Sequence, residues 1–399
     1  MPDMIERNPR ARRTAYPDEL RRLLNAGRAR ESRRWLAAWD LIATPTPLRP
    51  LPGLAARLGV GMLAVKDESV RSPLGSFKAL GAPAALIRLV LRRVPAAHPE
   101  AVLAGAYAGV LRDLVVISAT DGNHGRALAA AARGAGCRCV IVLHAQVSAE
   151  REAAIAQFGA EVVRVAGNYD DSVGEAARLA RQHGWQVVSD TSWPGYEDVP
   201  RDVMQGYAVL ADEVFGQATV PFTHLVVQGG VGGLAAAVAA AWWERCGARR
   251  PQLIVVEPQE ADCLLQSARA GRPASASGSV DSVMAGLACG AASPLAWRFL
   301  EPAVDTFVTV TDAQAIDAMR AFAGGTGGGV PVLAGESGAA GLAALLAFGA
   351  RDLGLDADSR VLLFNTEGAT APALYESLTG RAAAAVLEAQ TRWLVAHGA

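Results

Sequence analysis

The chain has 399 residues, just over half of them apolar and 19% charged, with a formal net charge of −1. That length exceeds the roughly 250–300 residues at which one hydrophobic core stops growing, so two compact units are expected. The near-zero charge gives no field to attract nucleic acid or anionic lipid, and no apolar run approaches the roughly 20 residues of a membrane span, so the expected partners are small molecules.

Arg12-Arg13 near the N-terminus is followed by no apolar stretch, so neither a secretory nor a twin-arginine signal is read there and a cytoplasmic location is expected. Five cysteines are too few for a disulfide scaffold, and Cys137-Arg138-Cys139 lacks the spacing and second pair of a zinc site, so no metal is expected. Cys263 and Cys289 flank the Ser267 to Ser282 region, where two free thiols are expected in a reducing compartment rather than a bridge. Only Lys66 and Lys78 among the 38 basic residues are lysine. Arginine can replace lysine's charge but not its nucleophilic amine, so any amine chemistry has two candidates.

In chain order, residues 18–40 carry apolar positions at helical spacing (Leu20, Leu23, Leu24, Trp35, Leu36, Trp39), and Thr44-Pro45-Thr46-Pro47-Leu48 then imposes extended backbone. Leu63 to Glu68 reads as a strand, and Ser76 is the expected cap of a helix running through Arg92. Strand runs follow at Val115 to Ser118, Val140 to Leu143, Glu161 to Val165 and Val187 to Ser189, with helices after Asn123, Ser148 and Asp170. A linker is read at Pro194 to Pro200. A second parallel array comprises His224 to Gln228, Leu253 to Glu257, Phe307 to Val310 and Val361 to Asn365, with a surface loop at Gly271 to Ser279.

Three strand-to-helix junctions could carry chemistry. Gly229-Gly230-Val231-Gly232-Gly233 opens an Ala-rich helix, and four glycines cost up to ~1 kcal/mol each relative to alanine, which a phosphate on the freed N–H groups would offset. A dinucleotide is the rival ligand, since Gly230-Val231-Gly232 with Ala235 fits G-x-G-x-x-A and Glu257 ends the next strand where a ribose-binding acid would sit. Ser118-Ala119-Thr120-Asp121-Gly122-Asn123-His124-Gly125 suits a carboxylate, or is simply capped by Asp121 or Asn123. In Asn365-Thr366-Glu367-Gly368, Thr366 and Glu367 face opposite sides if the strand persists that far.

The order of these segments, Thr46-Pro47-Leu48, then Lys66-Asp67-Glu68 through Gly75-Ser76-Phe77-Lys78, then Gly122-Asn123-His124-Gly125, Gly229 to Gly233 and Asn365-Thr366, resembles the fold-type II pyridoxal-phosphate enzymes, the tryptophan synthase β-like superfamily. Thr120-Asp121-Gly122, Ser189-Asp190-Thr191 and Asn365-Thr366-Glu367-Gly368 make it most similar to the diaminopropionate ammonia-lyases.

The resemblance implies an α/β fold of two open, twisted, mostly parallel sheets flanked by helices. The cofactor lies in the cleft between a large domain (1–95 and 200–399) and a small one (96–199). It implies pyridoxal 5′-phosphate held as a Schiff base on Lys78 beside Phe77, its phosphate on Gly229, Gly230, Val231, Gly232 and Gly233, its 3′-oxygen on Asn123 and its ring nitrogen on Thr366. Lys78, Asp121 and Asp190 are the implied catalytic residues, and Ser118, Thr120, Asp121 and Asp190 the implied contacts of the amino-acid substrate.

The implied reaction is α,β-elimination of 2,3-diaminopropionate, as D or L isomer, to pyruvate and ammonia, in a homodimer. A serine/threonine dehydratase, a β-replacement synthase, an NAD(P)-binding oxidoreductase and an inactive binding homologue are the alternatives.

Overall fold

The computed structural model describes residues 4–42, 45–120, 122–145, 147–167 and 169–398. In chain order the strands are β1 (Ile5–Arg7), β2 (Leu48–Pro50), β3 (Met62–Asp67), β4 (Val115–Ala119), β5 (Arg138–His144), β6 (Glu161–Val165), β7 (Gln186–Val187), β8 (His224–Gln228), β9 (Gln252–Pro258), β10 (Thr306–Val310) and β11 (Arg360–Asn365). They form a seven-stranded sheet in the order β1-β10-β9-β8-β11-β3-β2 and a four-stranded sheet in the order β6-β5-β4-β7. All pairings are parallel except those of the short edge strands β1 and β2, which run antiparallel to β10 and β3.

The large sheet is apolar on both faces, as a parallel sheet covered by helices must be. Along β8, Leu225 and Val227 enter one core cluster and Val226 the other; β9 divides Leu253 and Val255 from Ile254 and Val256 in the same way. In the small sheet Val116, Ile141 and Leu143 join the first of these clusters, while Val115, Ile117, Val140 and Val142 pack under the Tyr169–His183 helix through Ala176 and Ala180. Burial of each such Val, Leu or Ile contributes on the order of 1.5–3 kcal/mol.

Three sequence expectations are corrected. Ser76 does not cap the Lys78–Arg93 helix; it forms a single antiparallel bridge to Glu367, and its buried hydroxyl makes no hydrogen bond among the described residues. The strand expected at Val187 to Ser189 ends at Val187, so Ser189 and Asp190 belong to the loop beyond it. The linker read at Pro194 to Pro200 stops short, because the Asp198–Gln217 helix already contains Pro200. Its missing N–H falls in the first turn, where backbone donors have no intrahelical acceptor.

Lys66 is fully buried on β3, where its ammonium meets Glu213 Oε2 at 2.7 Å and the Thr46 carbonyl at 2.7 Å. Arg71 bonds both Glu213 and Glu68, closing a charge cluster between the sheet and the Asp198–Gln217 helix. Removing one member leaves uncompensated buried charge, at a cost of roughly 3–5 kcal/mol. Glu213→Gln should therefore lower the unfolding free energy by that order in denaturant titration. A loss below about 1 kcal/mol, as for an exposed pair, would contradict it.

Candidate active site

Parallel strands from both sheets end at one cavity. Lys78 follows β3, Gly229 to Gly233 follow β8, Thr366 and Glu367 follow β11, Thr120 and Asn123 follow β4, and Asp190 follows β7. Ligand sites of open α/β sheets form outside the carboxyl ends of their strands, where helix N-termini also converge.

The Lys78 ammonium lies 2.5 Å from Asp190 Oδ2, each side chain 16% exposed. Burial is the largest single influence and would lower the lysine's pKa, but the Asp190 charge and hydrogen bond, together with Tyr207 and Cys289, outweigh it and hold the value above the ordinary range. Asp190 is likewise buried, yet Lys78 and then His124 keep its carboxyl below the usual range. His124 contacts the Val188 carbonyl through Nε2 at 2.9 Å, and since a carbonyl only accepts, that nitrogen carries the proton. Nδ1, 3.9 Å from Asp190, has no hydrogen-bond partner among the described residues, and burial keeps the ring's pKa low and the imidazole neutral.

The rings of Phe77 and Tyr207 wall the ammonium at 5.2 and 5.6 Å, with their centroids 4.7 Å apart. Two glycines make that wall possible by letting the Lys78–Arg93 and Asp198–Gln217 helices approach. A Cβ at Gly81 would come within 2.3 Å of Tyr207, and one at Gly206 within 2.2 Å of the Leu80 carbonyl.

Across the cavity the glycine loop leads into the Gly233–Cys246 helix, with Gly230 at φ 64° and Gly232 at φ 102°, a backbone that L side chains rarely adopt. Gly229, Gly230, Val231 and Gly233 line the cavity. Gly232 packs against Leu300 and Ala296, where a Cβ would clash, so close packing as well as its φ requires a glycine there.

The dinucleotide reading fails at Glu257. Its fully buried carboxyl accepts the N–H groups of Leu264 and Leu265 at 2.8 Å each, so it serves the start of the Cys263–Ala270 helix rather than a ribose. Burial pushes this carboxyl up to about 8. No disulfide joins the cysteines; Cys263 donates towards the Gly230 carbonyl, while Cys289 lines the cavity.

At the junction after β4, Thr120 lines the cavity and its hydroxyl accepts the N–H of Gly122 at 3.3 Å, whereas Asp121 lies outside the described residues. Ser118 is corrected: it does not reach the cavity. It alternates with Ile117 along β4, shares the core-facing side of Val116, is fully buried and, among the described residues, reaches only the neighbouring Ala119 carbonyl. Asn123 does not cap its helix; it lines the cavity and donates from Nδ2 to Glu367 Oε2.

β11 ends at Asn365, so the alternation expected of Thr366 and Glu367 does not apply and both line the cavity. Tyr207, Arg151, Ser337 and Cys289 also line it, although the sequence assigned none of them to the site. Tyr207 sits among apolar helix positions, and the one signal near Ser337 is its flanking glycines, Gly335 and Gly338.

The two ends of the cavity fit pyridoxal phosphate. A phosphate matches the glycine backbone at a helix N-terminus, and an aldehyde matches the primary amine of Lys78. Thr366 Oγ1, which makes no hydrogen bond among the described residues, is available to a ring nitrogen.

Residues 40–367 match the family described as pyridoxal-phosphate dependent enzyme. The diaminopropionate ammonia-lyase of Salmonella typhimurium is 37% identical over 360 residues, 85% of this chain and 89% of that protein. Its Escherichia coli K12 counterpart is 37% identical over 82% of this chain and 85% of its own. The crystal structure of Escherichia coli diaminopropionate ammonia lyase with an aminoacrylate-PLP azomethine reaction intermediate superposes with a TM-score of 0.85 at 34% identity, covering 94% of this chain and 96% of that one.

Proposed function

Since the chain belongs to the pyridoxal-phosphate-dependent enzymes and, among them, to the diaminopropionate ammonia-lyases, we propose how its own residues carry out the elimination of ammonia from 2,3-diaminopropionate to give pyruvate. When bound, the cofactor supplies a carbonyl that condenses with amines and a ring that withdraws electrons from the substrate's α-carbon.

Lys78 would hold the cofactor, and its amine is the base assigned to the α-proton on its face. The backbone N–H groups of Gly229, Gly230, Val231, Gly232 and Gly233 would hold the phosphate, Phe77 would wall the site, Asn123 would donate to the 3′-oxygen and Thr366 would meet the ring nitrogen. Thr366 is neutral and does not favour protonation of that nitrogen, which suits elimination over a long-lived carbanion. Asp190 and Asp121 are the acidic residues assigned to the substrate's second ammonium group and to proton transfer, with Thr120 beside its carboxylate.

The observation that carries this reading is the Lys78–Asp190 pair at the convergence of strand ends. A carboxylate that already accepts an ammonium at 2.5 Å can accept the substrate's β-ammonium when Lys78 is engaged with the cofactor. Serine and threonine carry no such group.

Pyruvate release from 2,3-diaminopropionate is thus expected to exceed 2-oxoacid release from serine or threonine by at least about 100-fold in kcat/KM, the scale of a buried charged contact. Assays with D- and L-diaminopropionate, serine and threonine on the holoenzyme decide it; faster turnover of serine would replace this reading with a dehydratase. Product formation only with an added nucleophile would point to β-replacement. We also infer a large unit of residues 1–95 and 200–399 and a small one of 96–199. The enzyme is read as a cytoplasmic homodimer, the location supported by cysteines that form no disulfide and the dimer checked by its sedimentation mass.

A further inference from the structure

Glu367 is 4% exposed and held from three sides. Its Oε1 accepts the Ser337 N–H at 3.1 Å, its backbone carbonyl accepts the Gly335 N–H at 2.9 Å, and it bridges Ser76, two residues before Lys78. Oε2 accepts the carboxamide N–H of Asn123, which begins the helix after β4 in the other sheet. A second contact runs parallel to this one, from Arg151 Nη2 to Glu336 Oε1 at 3.2 Å. Glu336 lies beside Glu367, and burial and then that neighbouring charge push its carboxyl up to about 7.

An asparagine carboxamide can turn either its oxygen or its nitrogen to a neighbour, and the two ends do opposite things. A carboxylate whose oxygens both receive N–H donors can only accept. It therefore holds Nδ2, not Oδ1, beside it, and the second N–H of that nitrogen is left for the cavity. A glutamine at 367 would lose this discrimination: accepting from Ser337 would turn its own NH2 towards Asn123 and favour the reversed carboxamide.

We propose that Glu367 is a positioning residue that fixes the Asn123 carboxamide with one N–H presented to the phenolic oxygen of pyridoxal phosphate. The inference rests on the assignment of Asn123 to the cofactor's 3′-oxygen made above. Glu367 acts through Asn123 and not by touching the reacting atoms.

The test compares the affinity of apoprotein for pyridoxal phosphate with that for 3-deoxypyridoxal phosphate, which lacks the oxygen in question. Wild type should prefer the former by about 10-fold or more, the scale of a hydrogen bond to a charged acceptor. Glu367→Gln should lose most of that preference while binding the deoxy analogue as wild type does. Asn123→Ala should lose it equally, and the double variant no further.

Equal weakening of both ligands by Glu367→Gln, or an undiminished preference, overturns the proposal and leaves Glu367 a purely structural residue. If the glutamine variant does not fold, Glu367→Asp serves instead. It keeps two acceptor oxygens with a shorter reach, so an intermediate preference is expected, and an unchanged one overturns the proposal. An undiminished preference in Asn123→Ala would refute the Asn123 assignment itself, and failure of wild type to bind pyridoxal phosphate would refute the functional reading.

Discussion

Lys78→Ala should abolish the visible absorbance band of the bound cofactor and lower diaminopropionate turnover by roughly 10³-fold or more, because one residue both holds the cofactor and serves as proton acceptor. No second amine can take its place. Lys66, the one other lysine, is fully buried and engaged by Glu213, Thr46 and Gln217. The glycine loop is untouched by the substitution, so the variant should still bind pyridoxal phosphate weakly and reversibly. Borohydride reduction of wild type followed by peptide mapping should find the cofactor on Lys78 alone. A variant that keeps the band, or a label on Lys66, would remove the basis of the mechanism.

Asp190→Asn is expected to give the second largest effect, a fall of about 10²–10⁴ in kcat with diaminopropionate while the cofactor remains bound. Its carboxylate is the main favourable charge on Lys78; without it, burial is opposed only by the smaller contributions of Tyr207 and Cys289, and the lysine's pKa falls.

The sign of the pH effect in protein prepared without cofactor follows from both partners. The carboxyl of Asp190 is held below its ordinary value, so its contribution to stability is present above the ordinary carboxylate range and lost as the pH falls through it. The ammonium of Lys78 is held above its ordinary value, so its contribution is complete below the ordinary lysine value and lost only at higher pH. The melting temperatures of wild type and Asp190→Asn should thus differ by a constant amount above about pH 5, until the lowered Lys78 of the variant starts to lose its proton, and converge in acid. A gap that widens in acid would mean the pair is not the one described.

His124 qualifies the comparison, since its neutral ring lies on the same carboxylate. Its bond to the Val188 carbonyl fixes the ring, while Nδ1, without a hydrogen-bond partner among the described residues, lies 3.9 Å from Asp190.

Much of this site was legible before any tertiary contact was known. The strands after which the functional junctions fall are apolar runs bounded by glycine and polar residues, and period-two burial on both faces of the large sheet accounts for them. The glycine loop was legible because four glycines carry a conformational cost that something must offset; Gly230 and Gly232 take positive φ, and a Cβ at Gly229 would clash with Glu257. Lys78 stood out because arginine has replaced lysine at nearly every other basic position, and arginine cannot perform amine chemistry.

What misled was orientation at strand ends. Ser118 belongs to a functional segment yet faces the core, and Glu257 sits where a ribose-binding acid would but caps a helix instead. A strand's side chains alternate only while its pairing lasts, and the residue where pairing stops is decided by the neighbouring strand. That is why β11 ending at Asn365 brings Thr366 and Glu367 to the same cavity.

The sequence by itself determined the chemical groups available, the order in which the chain delivers them and the parallel α/β class, because residue type, hydrophobic period and backbone preference are local properties. Only the tertiary structure decided that Asp190 meets Lys78, that Tyr207 walls it and that Glu367 holds Asn123. Those partners lie more than a hundred residues apart, and the order of strands in the two sheets relates them where no local pattern could.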